Sequence, residues 1–112
     1  MADCLFCKIA AGEIPSSKVF EDDRAIAFDD INPAAPTHIL VIPRQHIERA
    51  AAMQEQDEAL IGHLFSVANK VAAERGLKDY RLVINNGAGA GQSVFHIHLH
   101  VLGGRTLTWP PG

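Results

Sequence analysis

Three of the six histidines in this 112-residue chain alternate with aliphatic residues in the segment HIHLHVL, residues 96–102. Side chains on a β-strand alternate between the two faces of its sheet, so a strand here would present all three imidazoles on one face. The aliphatic residues between them would face a core. Imidazole titrates near neutral pH and acts as a base, an acid, a nucleophile or a metal ligand. We therefore expect this segment to carry the chemistry.

Two other interpretations of these histidines remain open. They could be structural residues with no chemical role, or they could bind a metal ion. Residues two apart on a strand are separated by roughly 6.6 Å at Cα, so two neighbouring histidines can close around one ion. His96 and His100 would be about 13 Å apart on the same rise. One ion is therefore not expected to bind all three, and at least one imidazole remains for another task.

A loop of small residues, NNGAGAGQS at 85–93, leads directly into the histidine segment. Glycine permits positive φ and close backbone approach, so successive N–H groups can bind an anion. The loop is not a P-loop, because Gln92 stands where a lysine is required and a strand is expected to follow. A plain hairpin loop is the alternative, but the adjacent histidines favour a phosphate site.

Composition favours an ordinary globular protein. Hydrophobic residues make up 47% and charged residues 21% of the chain, which is ordinary for a soluble globular protein. A length of 112 residues predicts one domain over residues 1–112. A domain this small gains from oligomerisation. The net charge of -3 gives no support for a nucleic-acid partner. We see neither a signal segment nor an apolar run of membrane length, so we expect a cytoplasmic protein with no membrane partner.

The only two cysteines, Cys4 and Cys7, lie three residues apart. In the cytosol such a pair stays reduced or binds metal. A zinc site needs four ligands, so histidines would have to supply the rest. Two free thiols in a short helix are the alternative.

Periodicity predicts a short helix over Cys4–Ala11 and a long one over Glu55–Arg75, with Gly76 at the C′ position. The long helix carries two apolar stripes, a broader face than one sheet contact requires; His63, between them, is expected to be structural or exposed. The stripes comprise Leu60, Leu64, Val67 and Val71, and Ile61, Phe65, Ala68 and Ala72. The predicted strands are Lys18–Glu21, Ala25–Asp29, Thr37–Ile42, Tyr80–Asn85 and Phe95–Leu102.

The segment 96–102 matches the His-φ-His-φ-His-φ-φ signature (φ hydrophobic) of the histidine triad nucleotide-binding proteins, and the resemblance covers nearly the whole chain. It resembles the Hint branch, whose members hydrolyse nucleoside phosphoramidates, more than the galactose-1-phosphate uridylyltransferase branch, which has glutamine in place of His100. The other matching segments are FEDDR (20–24), AFDDI (27–31), APTHILVIP (35–43), GQSVF (91–95), HVLGGR (100–105) and WPPG (109–112).

The resemblance implies an α+β fold and a homodimer: a five-stranded antiparallel sheet with one long helix and a short N-terminal helix. It also implies a division of labour among the histidines. His98 corresponds to the nucleophile that forms a nucleotidyl-histidine intermediate, and His100 to the residue that contacts the phosphate and the bridging oxygen. His38 corresponds to a histidine that supports the nucleophile. A neutral imidazole is a competent nucleophile at pH 7, and no metal is needed for this step.

The remaining binding residues also follow from the resemblance. Asp30 corresponds to the carboxylate that binds the ribose hydroxyls, and Trp109 to a tryptophan that reaches the partner subunit's site; Asp29 departs from the histidine of well-known eukaryotic members. The loop that holds the phosphate and assists the leaving group comprises Asn85, Gly91, Gln92 and Ser93. The apolar pocket for a purine base comprises Phe6, Ile9, Phe28, Ile31 and Leu40.

In relatives with the N-terminal cysteine pair, a structural zinc is held at the positions of Cys4, Cys7, His46 and His96. The function implied is a purine nucleoside phosphoramidase. Two alternatives remain: a dinucleoside polyphosphate hydrolase of the same family, and a non-enzymatic nucleotide-binding or interaction protein. The WPPG terminus and the Hint-like segments favour the phosphoramidase.

Overall fold

The computed structural model describes residues 3–112. One antiparallel five-stranded sheet has the strand order β1-β2-β3-β5-β4. Its strands are β1 Lys18–Glu21, β2 Ala25–Asp29, β3 Thr37–Pro43, β4 Tyr80–Val83 and β5 Leu99–Gly103. The helices are α1 Leu5–Ala10 and α2 Glu58–Glu74, with short 3₁₀ turns at Ala50–Ala52, Glu55–Asp57 and Ala88–Ala90. The predicted α+β architecture is therefore confirmed.

The two helices cover opposite faces of the sheet, because the central strands alternate between two buried sets of side chains. On β2, Ala25 and Ala27 face α2, whereas Ile26 and Phe28 face α1. The α2 side is the larger core and includes buried side chains from both apolar stripes of the helix, such as Leu64 and Ala68. The α1 side is smaller and leaves room for a cleft beside the helix.

Three predicted boundaries are wrong by two or more residues. Strand β5 begins at Leu99 and not at Phe95, because Ile97 N–H donates to the carbonyl of Ile47 instead of to a strand neighbour. Strand β4 ends at Val83 and not at Asn85. The long helix becomes α-helical only at Glu58, after a 3₁₀ turn with a capping box.

The predicted position of Gly76 just after the end of the long helix is confirmed. Gly76 directly follows the α2 C-cap with a φ of 73°, the left-handed geometry that terminates helices. At the start of α1, the Cys4 sulfur accepts a hydrogen bond from Cys7 N–H, so the N-cap is itself one of the paired cysteines.

None of the helices among residues 3–112 is long and apolar enough to cross a membrane.

Candidate active site

The three histidines of the segment project to the α1 side of the sheet, although only His100 lies within β5. The Phe6 ring of α1 is 6.0 Å from the His96 ring and 5.0 Å from the His98 ring, between centroids. The rings of His98 and His100 are 4.9 Å apart. The alternation predicted from sequence thus holds beyond the end of the strand, and each imidazole has a different environment.

His98 has one nitrogen held and one free. Its Nδ1 lies 2.8 Å from the His96 carbonyl oxygen, so Nδ1 carries the proton and donates it. Its Nε2 has no hydrogen-bond partner among residues 3–112 and keeps its lone pair. Burial lowers the pKa of His98, while the hydrogen bond to His96 and the nearby Asp30 carboxylate oppose that effect. The ring is therefore neutral at pH 7 with Nε2 available as a nucleophile.

A chain of hydrogen bonds sets the proton positions on His38 and His100. The backbone N–H of Ala34 donates to His38 Nδ1 at 3.0 Å, so in neutral His38 the proton sits on Nε2. That Nε2 is 2.9 Å from His100 Nδ1 and donates to it. Neutral His100 then carries its proton on Nε2, which is buried without a partner among the described residues. The cleft thus contains a free lone pair on His98 beside an unpaired N–H on His100.

The charge state of His100 follows from its surroundings. Burial, followed by the neighbouring His98 and His38, lowers the pKa of His100 to about 4, with Asp30 opposing. Burial also lowers the pKa of His38, again opposed by Asp30, whose carboxylate is 3.5 Å from His38 Nε2. Both rings are neutral at pH 7, which is the condition for the proton positions given above.

Asp30, His38 and His100 also lie close enough together to suggest a metal ion, but the hydrogen bonds argue against one. A metal on His38 Nε2 would displace its proton to Nδ1. The Ala34 N–H already points at Nδ1, so two N–H groups would face each other. This cluster fits hydrogen bonding and not metal binding.

A cleft of about 300 Å³ opens above these histidines, at the small end of the usual range for ligand sites. Its predicted members are Phe6, Ile9, Phe28, Asp30, Ile31, Leu40, Ser93, His98 and His100. Phe6 and Phe28 pack edge-to-face at 5.6 Å. Ile31 is 92% exposed at the mouth, so a bound ring could cover it.

Sequence reasoning missed six residues that line the cleft. Leu5 and Val94 are apolar and lie next to the predicted residues Phe6 and Ser93 in the sequence, and this adjacency could have suggested them. The other four lie in irregular connections with no periodic signal. The six are Leu5, Ile14, Pro15, Ser16, Asn32 and Val94.

Several backbone N–H groups of the glycine loop are bonded within the loop. The N–H groups of Ala90, Gly91 and Gln92 donate to carbonyls of Gly87 and Ala88 within the loop, so they are not available to a phosphate in this conformation. Ser93 is the loop residue that reaches the cleft.

Three other residues predicted to bind nucleotide lie outside the cleft wall. Gln92 is 3% exposed, and its amide bonds to Gly87 N–H and to the carbonyls of Glu48 and Val94. A side chain at Gly91 would come within 3.5 Å of the Asn85 amide. Gln92 therefore supports the loop from behind, a role that residue type alone did not reveal, and Asn85 lies next to Gly91.

Trp109 is also outside the cleft and is 81% exposed. The segment before it is held by Arg81, whose Nη2 donates to the Thr108 carbonyl at 2.8 Å. The indole therefore does not contact the cleft of its own chain.

Asp29 faces away from the cleft, because it alternates with Phe28 along β2. Its carboxylate accepts two hydrogen bonds from Arg75 at the end of α2, at 2.9 and 2.8 Å. The departure from histidine at this position therefore does not alter the wall of the cleft.

A second cluster brings together Cys4, Cys7, His46 and His96. The His96 Nδ1 is 3.3 and 3.5 Å from the two sulfurs and 3.2 Å from His46 Nδ1, which is 3.3 Å from the Cys7 sulfur. Ligand atoms of tetrahedral zinc are about 3.3–3.6 Å apart for N–N and N–S pairs, from bond lengths near 2.05 and 2.3 Å. The spacing of the four side chains fits a tetrahedral metal ion.

The protonation of this cluster also suits a metal. His96 is fully buried, and its Nε2 donates to the Pro43 carbonyl at 2.8 Å, so Nδ1 has its lone pair directed at the other ligands. A carbonyl on the far nitrogen is the usual partner of a metal-bound histidine. Burial and the adjacent Cys4 raise the pKa of the Cys7 thiol to about 11, so without a metal this thiol remains protonated at pH 7.

Comparison with known proteins agrees with this geometry. The chain matches the model of the HIT domain over residues 11–107. An uncharacterised HIT-like protein of Synechocystis is 53% identical, over 98% of this chain and 97% of that protein. A HIT family hydrolase from Legionella pneumophila is 53% identical with a TM-score of 0.96, over 98% and 100% of the two chains. Another, from Clostridium thermocellum, is 45% identical with a TM-score of 0.94, over 96% of each chain. The chain therefore belongs to the HIT family, and its fold matches those of solved HIT family hydrolases.

Proposed function

We propose that this protein is a nucleoside phosphoramidase of the Hint branch, which hydrolyses the P–N bond of purine nucleoside 5'-phosphoramidates. The observation that carries the proposal is the pairing of a free His98 Nε2 with an unpaired His100 N–H at the floor of an apolar cleft. A nucleophile and a hydrogen-bond donor side by side suit attack on phosphorus with stabilisation of a phosphoryl oxygen.

In the first step His98 Nε2 attacks phosphorus and the P–N bond breaks. Its electron pair goes to the amine nitrogen, which takes up a proton as it leaves. The Nδ1–H of His98 stays on the His96 carbonyl throughout, so the ring keeps its orientation. His100 Nε2–H donates to the phosphate, and the Ser93 hydroxyl, which lines the cleft, relays a proton from solvent to the departing amine.

In the second step water attacks the nucleotidyl-histidine, loses a proton to solvent, and the electron pair of the broken P–Nε2 bond returns to Nε2, which releases the nucleoside monophosphate and restores neutral His98. His38 acts through His100, because its Nε2–H fixes the proton of His100 on the cleft side. No metal or cofactor takes part in either step.

The cleft also supports a nucleotide. Phe6, Ile9, Phe28 and Leu40 form apolar walls suited to a purine ring, with Ile31 at the mouth. Asp30 Oδ1 accepts Asn32 N–H, which fixes the carboxylate with Oδ2 towards the histidines. We assign it to the ribose hydroxyls. Asn85, Gly91 and Gln92 hold the loop that carries Ser93.

Substitution of His98 tests the mechanism. His98→Ala should abolish turnover of an AMP-amide while AMP still binds, because the apolar walls and Asp30 remain. His98→Gly should recover some rate with added imidazole. His100→Ala should cost about 10²–10⁴-fold, the range for a positioned acid–base or charge-stabilising group. Rapid quenching of wild-type enzyme should trap an acid-labile, base-stable phosphoramidate on His98.

His63 provides a matched control. It lies outside the cleft, bonded to Asp22 and Arg24, so His63→Ala should leave kcat near that of the wild type. A His98→Ala enzyme as active as this control, with no trapped adduct, would contradict the covalent mechanism. Faster turnover of a dinucleoside polyphosphate than of AMP-amide would assign the site to the other hydrolase, and AMP binding without turnover of either would leave a binding protein.

We also propose that Cys4, Cys7, His46 and His96 hold a structural zinc ion. Support comes from the tetrahedral spacing of the donor atoms and the Pro43 carbonyl on His96. Zinc would tie α1 to the sheet without contact with phosphorus. Elemental analysis of protein purified without chelator should give about one zinc per chain. Cys4→Ala should lower the melting temperature far more than kcat; metal-free protein with two reactive thiols would contradict the proposal.

Finally, we propose a homodimer with two active sites, packed through α2 and the β4 edge of the sheet. Strand β4 has a sheet neighbour on one side only, and Phe65 on α2 and Trp109 remain exposed. Light scattering at micromolar concentration should give twice the 12.1 kDa chain mass. Removal of residues 107–112 should alter substrate selectivity if Trp109 reaches the other cleft. A fully active monomer would refute this assembly.

A further inference from the structure

Arg105 connects the end of the sheet to a loop beside the cleft. It lies beyond the C-terminus of β5, and its Nη2 donates to the carbonyl of Ala34 at 3.0 Å, across 71 residues of sequence. Its Nη1 donates to the Thr106 carbonyl at 3.1 Å, which holds the guanidinium in place. Ala34 belongs to the loop between β2 and β3, so an exposed cation fixes a backbone segment next to the histidines.

Ala34 is held on its other side by His38. Its N–H donates to His38 Nδ1 at 3.0 Å, and this bond determines which nitrogen of His38 carries the proton. The same loop packs against the neighbour of Arg105: a Cβ on Gly104 would lie 2.8 Å from the Pro36 Cβ. The loop is therefore clamped by the 104–105 segment at two points.

We propose that Arg105 is a positioning residue, which holds Ala34 N–H against His38 and thereby keeps the proton of His100 on its cleft-facing nitrogen. This inference rests on the proposed function only where activity is measured. Without Arg105 the loop can withdraw, and His38 can place a proton on Nδ1. His38 Nε2 then no longer donates to His100, so the N–H of His100 is no longer fixed towards the phosphate.

The nucleotide itself should still bind. The apolar walls come from α1 and the strands and not from Ala34. Asp30 is secured separately, because its backbone N–H donates to the His38 carbonyl at 2.9 Å. Loss of Arg105 should therefore affect kcat more than KM.

The test compares Arg105→Met with Lys78→Met. Both residues line an open cavity of about 590 Å³ at this end of the sheet, and both variants lose one positive charge, but only Arg105 bonds to Ala34. Arg105→Met should lower kcat for AMP-amide about 5- to 10-fold, as expected for one hydrogen bond, with KM changed less than about two-fold. Arg105→Lys, which keeps one donor, should recover part of kcat, and Lys78→Met should behave as wild type.

Two readouts separate positioning from mere loss of structure. Nitrogen-15 NMR of the imidazoles should show His38 Nδ1 as unprotonated in the wild type and in Lys78→Met, and as partly protonated in Arg105→Met. The acid limb of the kcat profile should move to higher pH in Arg105→Met, because the Ala34 N–H no longer opposes protonation of His38 Nδ1. Among the described residues, the titratable groups that face His38 are Asp30, His98 and His100.

An unchanged His38 tautomer in both Arg105 variants would overturn the proposal, as would an equal loss of kcat in Arg105→Met and Lys78→Met. If the wild type hydrolyses no phosphoramidate, the proposed function fails but the tautomer measurement still decides the role of Arg105. If Arg105→Met does not fold, Arg105→Ala, which also lacks a donor to the Ala34 carbonyl, is compared with the wild type by the same NMR measurement, and an identical tautomer with normal kcat there also counts against the proposal.

Discussion

Replacement of Gln92 by methionine should destabilise the protein without weakening nucleotide binding. Gln92 is 3% exposed and makes three hydrogen bonds: from Gly87 N–H at 2.8 Å, and to the carbonyls of Glu48 and Val94 at 2.9 and 3.0 Å. Methionine keeps the length of the side chain but removes all three. At about 0.5–1.5 kcal/mol for each net hydrogen bond, the free energy of unfolding should fall by about 2–4 kcal/mol.

Urea unfolding at pH 7, with protein concentration and metal content held constant, measures this change. The midpoint should fall with an unchanged m-value, and the melting temperature should fall by roughly 8–16 °C, at about 4 °C per kcal/mol for a chain of this size. Gln45→Met is the matched control. Gln45 is exposed with one long bond to Asp57, at 3.3 Å, so its loss should cost at most about 0.5 kcal/mol.

The opposite result would refute the structural role of Gln92. If Gln92→Met is as stable as Gln45→Met but its KM for AMP-amide rises about tenfold, the amide contacts the substrate directly and the loop must rearrange on binding. A stability loss with KM unchanged assigns the side chain to the support of Ser93.

Further outcomes follow from backbone geometry, charge and burial. Gly104→Ala should destabilise by about 2–3 kcal/mol, from the left-handed strain at φ 93° and the contact with Pro36, whereas Gly62→Ala, with open space around it in α2, should stabilise by about 1 kcal/mol in the same urea assay. Asp29→Asn should leave KM for nucleotide unchanged and cost at most about 1 kcal/mol, because its pair with Arg75 is exposed. The unfolded chain protonates His100 near its ordinary pKa of 6.5 but the folded chain only near 4, so stability falls as pH drops through that window, by up to about 3 kcal/mol; urea midpoints of His100→Gln should depend less on pH than those of the wild type.

The helices and strands were predictable because periodicity and turn residues agree along most of the chain, whereas their arrangement in one antiparallel sheet followed from the family resemblance. Apolar runs in β2 and β3 and Gly76 after the long helix are local signals, and the structure follows them. The strand through the histidines was placed too early, because alternation of side chains continues into extended chain whose N–H groups bond elsewhere. Ile97 bonds to Ile47, a partner that no local pattern reveals.

Some residues of the candidate site were also predictable from local patterns, whereas others depend on contacts between distant segments. Cys4, Cys7, His46 and His96 come from three distant segments, and their set was available only through family resemblance; spacing alone gave the cysteine pair. Residue type suggested that the glycine loop binds an anion, but it did not reveal that the N–H groups of Ala90, Gly91 and Gln92 bond within the loop. The role proposed for Arg105 could not be inferred from the HVLGGR segment that contains it, because that role depends on a contact with one backbone carbonyl across 71 residues.

Helix α1 has consequences beyond its size. It has six residues, well below the roughly 12–15 at which an isolated helix becomes marginally stable in water. Its N-cap Cys4 and Cys7 belong to one cluster, while Phe6 and Ile9 line the cleft. A ligand that orders α1, whether at the cysteine cluster or in the cleft, therefore reduces the conformational entropy that is lost when a second ligand binds at the other site. Thermodynamic reciprocity then requires that nucleotide strengthen the binding of a metal by the same factor with which the metal strengthens the binding of nucleotide.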